Sequence, residues 1–513
     1  MKKYTYILII VVFVGSILAS SCGDDFLTSS SSQKRASGEA VTETILTSFL
    51  TSAYQPLLFD SYAANNYNSI VLMSDLRSDD MYKGGGSADD QLSLYQLSLY
   101  TTSPTTSLIG LWTIYYSGLA RCNNVLMNAD EAVGVDPAKV EQYKAEAYFL
   151  RAYYTHLLWK LFGNIPYFTE HLAEPFVAPQ YSADEVYAFI MADLTQACAE
   201  GKMAMRTSGA DLGRASRAAA LMLKARVVMY QKDQSRYDEI TNDMATIIQS
   251  GQYDLFPDFA AMWDDENEFC IESIFESNQL PEGKTWSSAW QGYGTNLPAF
   301  ISPDGLQDPN GVFKGGWGFG PVRPAAYAAY SEPGDTRREG SINAWPDNSY
   351  TPRFQNTGLF ARKYAARVNY NPPPGDQDLN YTNNLRIFRY AETLLNYVEL
   401  VKMHGQGEKQ GVSADQMLLK LRSRAFAGAT APALTATADN IKLERRREFL
   451  GEGMRFWDLI RWGDAERLLT ENDQANNSTR TFADWKKYLP IPQSEIDKAK
   501  GTAYELKQNP NWQ

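Results

Sequence analysis

The chain has 513 residues, enough to bury a large core, and a formal net charge of −12. That charge, with no run of basic residues, argues against a nucleic-acid partner, because phosphate backbones need a cationic surface. Aromatic residues make up 13% of the sequence. Most of them belong to a core, and the surplus in loop-like segments needs a function.

The N-terminus has the pattern of an export signal. Two lysines precede an apolar run, Ile7 to Leu18, which is shorter than the ~20 residues of a membrane-spanning helix. Ala19-Ser20-Ser21 and then Cys22 follow, an order that resembles a bacterial lipoprotein signal, although Ala19 replaces the usual larger aliphatic residue. We expect a signal peptide over 1–21 and acylation of Cys22. An ordinary cleaved secretory peptide with an incidental cysteine is the alternative.

Residues 22–38 are predicted to form a flexible tether. Thr28 to Ser32 is rich in hydroxyl side chains, which is typical of a solvated linker. Asp24-Asp25 resembles the surface-export signal of Bacteroidetes lipoproteins, and a plain linker is the alternative. Together these features predict a protein that is lipid-anchored to the outer membrane and faces the cell exterior.

Helical periodicity recurs from residue 39 onward. The clearest helix begins at Asp136 as N-cap, with Pro137 in its first turn, and ends near Gly163. Ser182 to Glu185 is a capping box that opens another helix. Repeated helix–turn–helix units of this size predict an α fold, a superhelical frame of tetratricopeptide-like helix pairs. The other predicted helices are Glu39 to Tyr54, Trp112 to Met127, Ala215 to Tyr230, Tyr237 to Gln249, Arg389 to Met403, a helix capped by Ser413, and Ile441 to Trp462.

Residues 256–384 lack helical periodicity, and Gly, Pro, Asn and aromatic residues alternate there. An irregular stretch this long inside a globular chain is usually functional. We therefore predict a single domain over 39–513, a helical frame with one large loop-rich insert.

Six short segments carry a recognisable pattern in chain order. They are Arg151 to Pro166, Gly213 to Ala220, Phe388 to Glu392, Glu444 to Phe449, Arg455 to Gly463, and Leu489 to Ile496 with Gln508-Asn509-Pro510 after it. Each is weak alone, but their order over nearly the whole chain is specific. Together they resemble the SusD/RagB family of outer-membrane nutrient-binding lipoproteins.

The resemblance implies a SusD-like helical domain that supports a loop-rich face. It implies an oligosaccharide or polysaccharide ligand and a TonB-dependent transporter of SusC type, over which the protein sits as a lid. It implies no cofactor. The motifs themselves look structural, since Glu444 with Arg447 and Asp458 with Arg461 are i,i+3 ion pairs on a helix.

Binding a sugar needs flat aromatic faces for its C–H side and polar groups for its hydroxyls. Trp317 is the first candidate, because glycines on both sides favour exposure of its ring. The other aromatic candidates are Trp290, Trp286, Tyr82 and Tyr95, and the polar candidates are Asn66, Asp79, Asp80, Arg362 and Tyr364. Packing within loops is the alternative for the aromatics, and solvated or ion-paired surfaces are the alternative for the charged residues.

An enzyme is not predicted. The three histidines, His156, His171 and His404, have no second ligand or nucleophile at a suitable spacing. A glycoside hydrolase that uses Asp79 or Asp80 is one competing hypothesis, because paired carboxylates are common in such enzymes. The other is a structural lid of the transporter that has little glycan affinity of its own.

Overall fold

The computed structural model describes residues 40–59, 62–63, 66–281, 283–287, 294–427 and 429–512. The predicted signal peptide, Cys22 and the tether lie outside these residues. Within the described ranges, no helix combines the length and the apolar character needed to cross a membrane.

Helices dominate the fold, as the sequence predicts. They are α1 (Glu43–Tyr54), α2 (Ile70–Leu76), α3 (Leu92–Ser98), α4 (Ile109–Ala129), α5 (Pro137–Phe162), α6 (Ala183–Ala197), α7 (Arg217–Gln231), α8 (Tyr237–Gln249), α9 (Leu297–Ile301), α10 (Pro324–Ala328), α11 (Arg337–Ser341), α12 (Tyr390–Lys402), α13 (Ala414–Ala425), α14 (Ala438–Phe449), α15 (Arg455–Trp462), α16 (Ala465–Leu469) and α17 (Gln493–Ala499). Consecutive long helices pack as pairs, α4 on α5, α5 on α6, α7 on α8 and α12 on α13.

The strands are short and pair in antiparallel ribbons of two. They are β1 (Tyr62–Ala63) with β2 (Asn66–Tyr67), β3 (Ile165–Pro166) with β4 (Gln180–Tyr181), β5 (Ser273–Ser277) with β8 (Leu385–Arg389), β6 (Ile342–Ala344) with β7 (Leu359–Ala361), and β9 (Glu471–Asp473) with β10 (Ser478–Arg480). The β5–β8 ribbon joins the two ends of the irregular insert.

The central helix α5 begins and ends where its sequence signals predict. The Asp136 carboxylate accepts the Ala138 N–H at 2.9 Å, and Gly163 follows the last turn with φ +69°. The helix is buried on more than its one apolar face, because Arg151 forms a bidentate pair with Asp193 at 2.6 and 2.8 Å. The capping box predicted at Ser182 is also present and opens α6.

The predicted last helix, Ile441 to Trp462, is wrong in one respect. The structure divides it into α14 and α15, separated by Gly451 and Gly453, whose φ values are +79° and +70°. A Cβ on Gly453 would lie 2.9 Å from the Val71 backbone, and the Gly453 N–H donates to Asp75 at 3.1 Å. The glycines therefore form a break that lets α2 approach the frame, which the periodicity alone did not reveal.

A buried set of ion pairs joins the insert to the helical frame. Arg389, at the end of β8, donates to Glu272 and to Glu448, each at 2.7 Å. Arg337, fully buried at the start of α11, donates to Glu444 at 3.0 Å. These residues, with Asp335, Arg424 and Glu452, are called the arginine–glutamate network below. The charged side chains of α14 therefore link the insert to the helical frame.

Candidate functional site

Two tryptophans of the insert and Tyr67 of β2 meet at the protein surface. Trp286 and Trp317 have ring centroids 6.0 Å apart, with planes inclined by 30°. Tyr67 meets both edge-on, at 6.4 and 6.1 Å. Buried Phe300 lies against Trp317 at 4.8 Å and against Tyr67 at 4.7 Å. We call Tyr67, Trp286 and Trp317 the aromatic platform, and Phe300 supports two of its rings, Tyr67 and Trp317.

The platform is open to solvent on one side. Trp286 is 42% exposed, while Trp317 and Tyr67 are partly buried. A cluster of large aromatic side chains that reaches the surface is a candidate binding site. Of the residues predicted from the sequence, Trp317 and Trp286 are brought together here.

The backbone of the glycine-rich segment sets the position of Trp317. Its N–H donates to the Ala299 carbonyl at 2.7 Å, and the Gly318 N–H donates to Ser302 at 2.8 Å. A Cβ on Gly316 would lie only 2.2 Å from the same Ala299 oxygen. Gly316 therefore allows a close approach to α9, which carries Phe300, and so places the indole edge-to-face against that ring.

Tyr82 and Tyr364 lie in the interior, 5% and 2% exposed. Tyr82 donates to Asp473 at 2.6 Å, with Arg323 over its ring at 3.9 Å, and burial together with this hydrogen bond raises its pKa to about 12. The Tyr364 hydroxyl accepts the Arg386 N–H at 3.1 Å. Both were predicted to contact the ligand, but the structure places them inside the protein, where they pack within the fold.

Asp79 and Asp80 are held by arginines. Arg455 donates two hydrogen bonds to the Asp79 carboxylate, at 2.8 and 3.0 Å, and Arg446 donates one to Asp80 at 2.7 Å. Asp80 is fully buried. The structure therefore places both carboxylates in ion pairs with arginines, the alternative that the sequence left open for the charged residues.

The Asp79 pair gives a pH-dependent prediction. Burial opposes ionisation of Asp79, but its contacts with Arg455 and Arg446 outweigh burial and lower its pKa to about 2. Since the unfolded value is about 3.9, the pair stabilises the fold fully above about pH 4 and less as the pH falls through about 2. We expect Asp79→Asn to lower the free energy of unfolding by about 2 kcal/mol at about pH 6.

The same difference should shrink as the pH falls from about 4 towards 2, because the wild-type carboxyl group then becomes neutral as well. Urea unfolding of both proteins across this range measures it. A difference of constant size at every pH would show that the ion pair is not its source.

The remaining predicted residues lie elsewhere or are not described. Tyr95 donates to the Asn477 carbonyl at 2.8 Å and packs on Phe354, and Arg362 lies over Phe313 at 4.9 Å. Trp290 lies outside the described residues. Asn66 is described only as a backbone position in β2.

Sequence reasoning missed Tyr67 and Asp376. Tyr67 is an isolated aromatic in a polar, Asn-rich segment, and Asp376 follows the Pro372-Pro373-Pro374-Gly375 turn. The Asp376 carboxylate accepts a hydrogen bond from the backbone N–H of Trp286 at 2.8 Å. In the part of the chain that the structure describes, no group of three or more His, Cys, Asp or Glu side chains is arranged to hold a metal ion.

Comparison with known proteins identifies the family of this chain. The family model described as "SusD family" matches residues 275–512, and the one described as "Starch-binding associating with outer membrane" matches residues 25–229. A curated relative, SusD-like protein P38 of Formosa agariphila, is 24% identical over 385 residues, which span 70% of this chain and 73% of the relative.

Solved structures resemble this chain over nearly its full length. Surface glycan-binding protein A from Bacteroides fluxus is 68% identical, with a TM-score of 0.89 over 92% of this chain and 100% of that one. The protein of the same name from Bacteroides thetaiotaomicron, in complex with laminarihexaose, is 38% identical, with a TM-score of 0.84 over 91% and 100%. The chain therefore belongs to the SusD family.

Proposed function

We propose that this protein captures β-1,3-linked glucan oligosaccharides on the aromatic platform at the cell surface and passes them to a TonB-dependent transporter without cleaving them. The observation that carries the proposal is the surface pair of Trp286, which is exposed, and Trp317, which is partly buried, in a family member whose 38% identical relative was solved with laminarihexaose. Laminarihexaose is a linear chain of β-1,3-linked glucose.

The shape of the platform suits such a chain. Glucose stacks its C–H face on an aromatic ring, and each stacked ring removes apolar surface from water. A β-1,3-linked glucan turns at each linkage, whereas a β-1,4-linked glucan is flat. Two indole planes inclined by 30° match sugars whose faces change direction along the chain.

A binding role without catalysis agrees with the charges. Hydrolysis requires two carboxylates on either side of the scissile bond. The pair first considered for it, Asp79 and Asp80, is bound to Arg455 and Arg446. The proposal therefore assigns cleavage to other proteins and retention of the glucan to this one.

The family and the N-terminal sequence support a proposed location and partner. The family description includes association with the outer membrane, and acylation of Cys22 would tether the body there. A tethered protein need only hold the ligand close to the transporter, because the tether raises its effective concentration at the pore. We propose a SusC-type transporter as the partner, with this chain as its lid.

Calorimetric titration of the lipid-free protein with laminarihexaose, cellohexaose and maltohexaose tests the proposed ligand. We expect laminarihexaose to bind. The dissociation constants for cellohexaose and maltohexaose should be at least about tenfold higher, a difference in binding free energy of about 1.4 kcal/mol. Tyr504→Ala removes an aromatic side chain that is 46% exposed and should bind like the wild type.

Equal affinity for all three hexasaccharides would overturn the linkage preference. Failure to bind any glucan, with the fold intact, would favour the competing hypothesis of a lid that leaves recognition to the transporter.

A further inference from the structure

A tight turn in the insert holds the segment that carries Trp286. The turn spans residues 375–380 and includes one turn of 3-10 helix, Gln377–Leu379. It packs against residues 283–287, of which Lys284 is fully buried and Trp286 is exposed. The buried and exposed ends of this short segment are fixed by different groups of the same turn.

Asn380 fixes the buried end with its side-chain amide. Its Oδ1 accepts the Lys284 N–H at 3.0 Å, and its Nδ2 donates to the Lys284 carbonyl at 2.8 Å. Nδ2 also donates to the Asp376 carbonyl at 2.7 Å. The amide thus pairs with both backbone groups of Lys284, as a neighbouring strand would, and leaves no polar group of its own unsatisfied. Asn380 itself is fully buried.

Asp376 contacts both ends of the segment, the buried end through its backbone and the exposed end through its carboxylate. Its backbone N–H donates to the Lys284 carbonyl at 3.0 Å, and its carboxylate accepts the Trp286 N–H at 2.8 Å. Gly375 makes the approach possible, since its φ is +96° and a Cβ there would lie 2.6 Å from the Lys284 oxygen. One turn therefore holds the backbone of Lys284 and the backbone of Trp286.

The same turn also reaches the base of the platform. Tyr381, next to Asn380, exchanges two backbone hydrogen bonds with Thr295 at 3.1 Å. Thr295 stands two residues before α9, which carries Phe300. The turn therefore links the segment that carries Trp286 to the ring on which Trp317 rests.

We infer that Asn380, together with Asp376, is a positioning residue that holds Trp286 at its 6.0 Å distance from Trp317 and so sets the affinity for glucan. This inference rests on the proposed function. Asn380 acts through Trp286, because a fully buried amide whose donors and acceptor are all used has nothing left for a ligand.

A double-mutant cycle measures this coupling. Calorimetry with laminarihexaose compares the wild type, Asn380→Ala, Trp286→Ala and the double variant. We expect Asn380→Ala to weaken binding about tenfold, a change of about 1.4 kcal/mol. In the Trp286→Ala background the same substitution should weaken binding less than twofold, since the residue it positions is absent.

Asn383→Ala is the matched control. Asn383 is an equally buried asparagine three positions along, and its amide has no hydrogen-bond partner within the described residues. It should leave the dissociation constant unchanged. If Asn380→Ala does not fold, Asp376→Ala replaces it in the cycle, because that side chain is partly exposed and its carboxylate bonds the Trp286 backbone directly.

Wild-type affinity in the folded Asn380→Ala protein, or an equal loss with and without Trp286, would overturn the inference. Hydrogen exchange separates it from the proposed function. Even if the wild type bound no glucan, the Lys284 and Trp286 amides should exchange at least about tenfold faster in Asn380→Ala, with amides of α5 unchanged. Unchanged exchange at both amides would equally contradict the positioning role.

Discussion

Replacing Trp317 by alanine is expected to weaken laminarihexaose binding by at least about tenfold, and by more than any other single change in the insert. The substitution removes one of the two inclined indole faces and also the ring that supports Trp286 at 6.0 Å. Truncation of a tryptophan at the centre of a binding surface typically costs ~2 kcal/mol or more. Calorimetry on the folded variant gives the value directly.

Trp345→Ala provides the matched control. Trp345 is also a partly buried tryptophan of the insert, but it packs on Phe313 in a separate cluster, at 6.0 Å. It should retain wild-type affinity. If both variants lost affinity equally, the loss would come from a general disturbance of the insert. The aromatic platform would then not be shown to be the glucan-binding site.

Glu448→Gln should produce the largest loss of stability. Glu448 is fully buried, and its carboxylate accepts hydrogen bonds from Arg389 at 2.7 Å and Arg337 at 3.3 Å, and also one from Arg424. Burial opposes ionisation, yet these three guanidinium groups hold the pKa of Glu448 well below its usual range. A neutral glutamine would leave part of their charge uncompensated inside the protein.

Breaking a buried ion pair from one side typically costs about 3–5 kcal/mol. We expect the free energy of unfolding, measured in urea, to fall by that amount. Glu339→Gln removes an exposed partner of Arg338, where the two side chains are 64% and 41% exposed, and should cost less than about 1 kcal/mol. A Glu448→Gln protein within about 1 kcal/mol of the wild type would mean that the network contributes little to stability.

Much of the frame could be predicted because its signals are local. The start of α5 depends on Asp136 and Pro137, and that of α6 on a capping box four residues long. The break between α14 and α15 could not be predicted in the same way. Its cause is the approach of Val71 to Gly453, from nearly 400 residues away in sequence, and helical periodicity contains no information about such a contact.

The candidate site likewise contains features that local sequence predicts and features that depend on contacts between distant residues. Exposure of Trp317 was predicted from its flanking glycines, but the ring is partly buried, and Gly316 serves a close approach to Ala299. Asp79 and Tyr82 resembled sugar ligands because loop carboxylates and loop aromatics look alike in sequence. Their partners, Arg455 and Asp473, lie in the C-terminal part of the chain, and only the fold brings them together.

A crystal structure of this protein with laminarihexaose tests the central claim most directly. We predict glucose rings stacked on the exposed faces of Trp286 and Trp317, with Tyr67 at the edge of the bound chain. A hexasaccharide bound at another surface, with the aromatic platform empty at saturating ligand, would contradict this account.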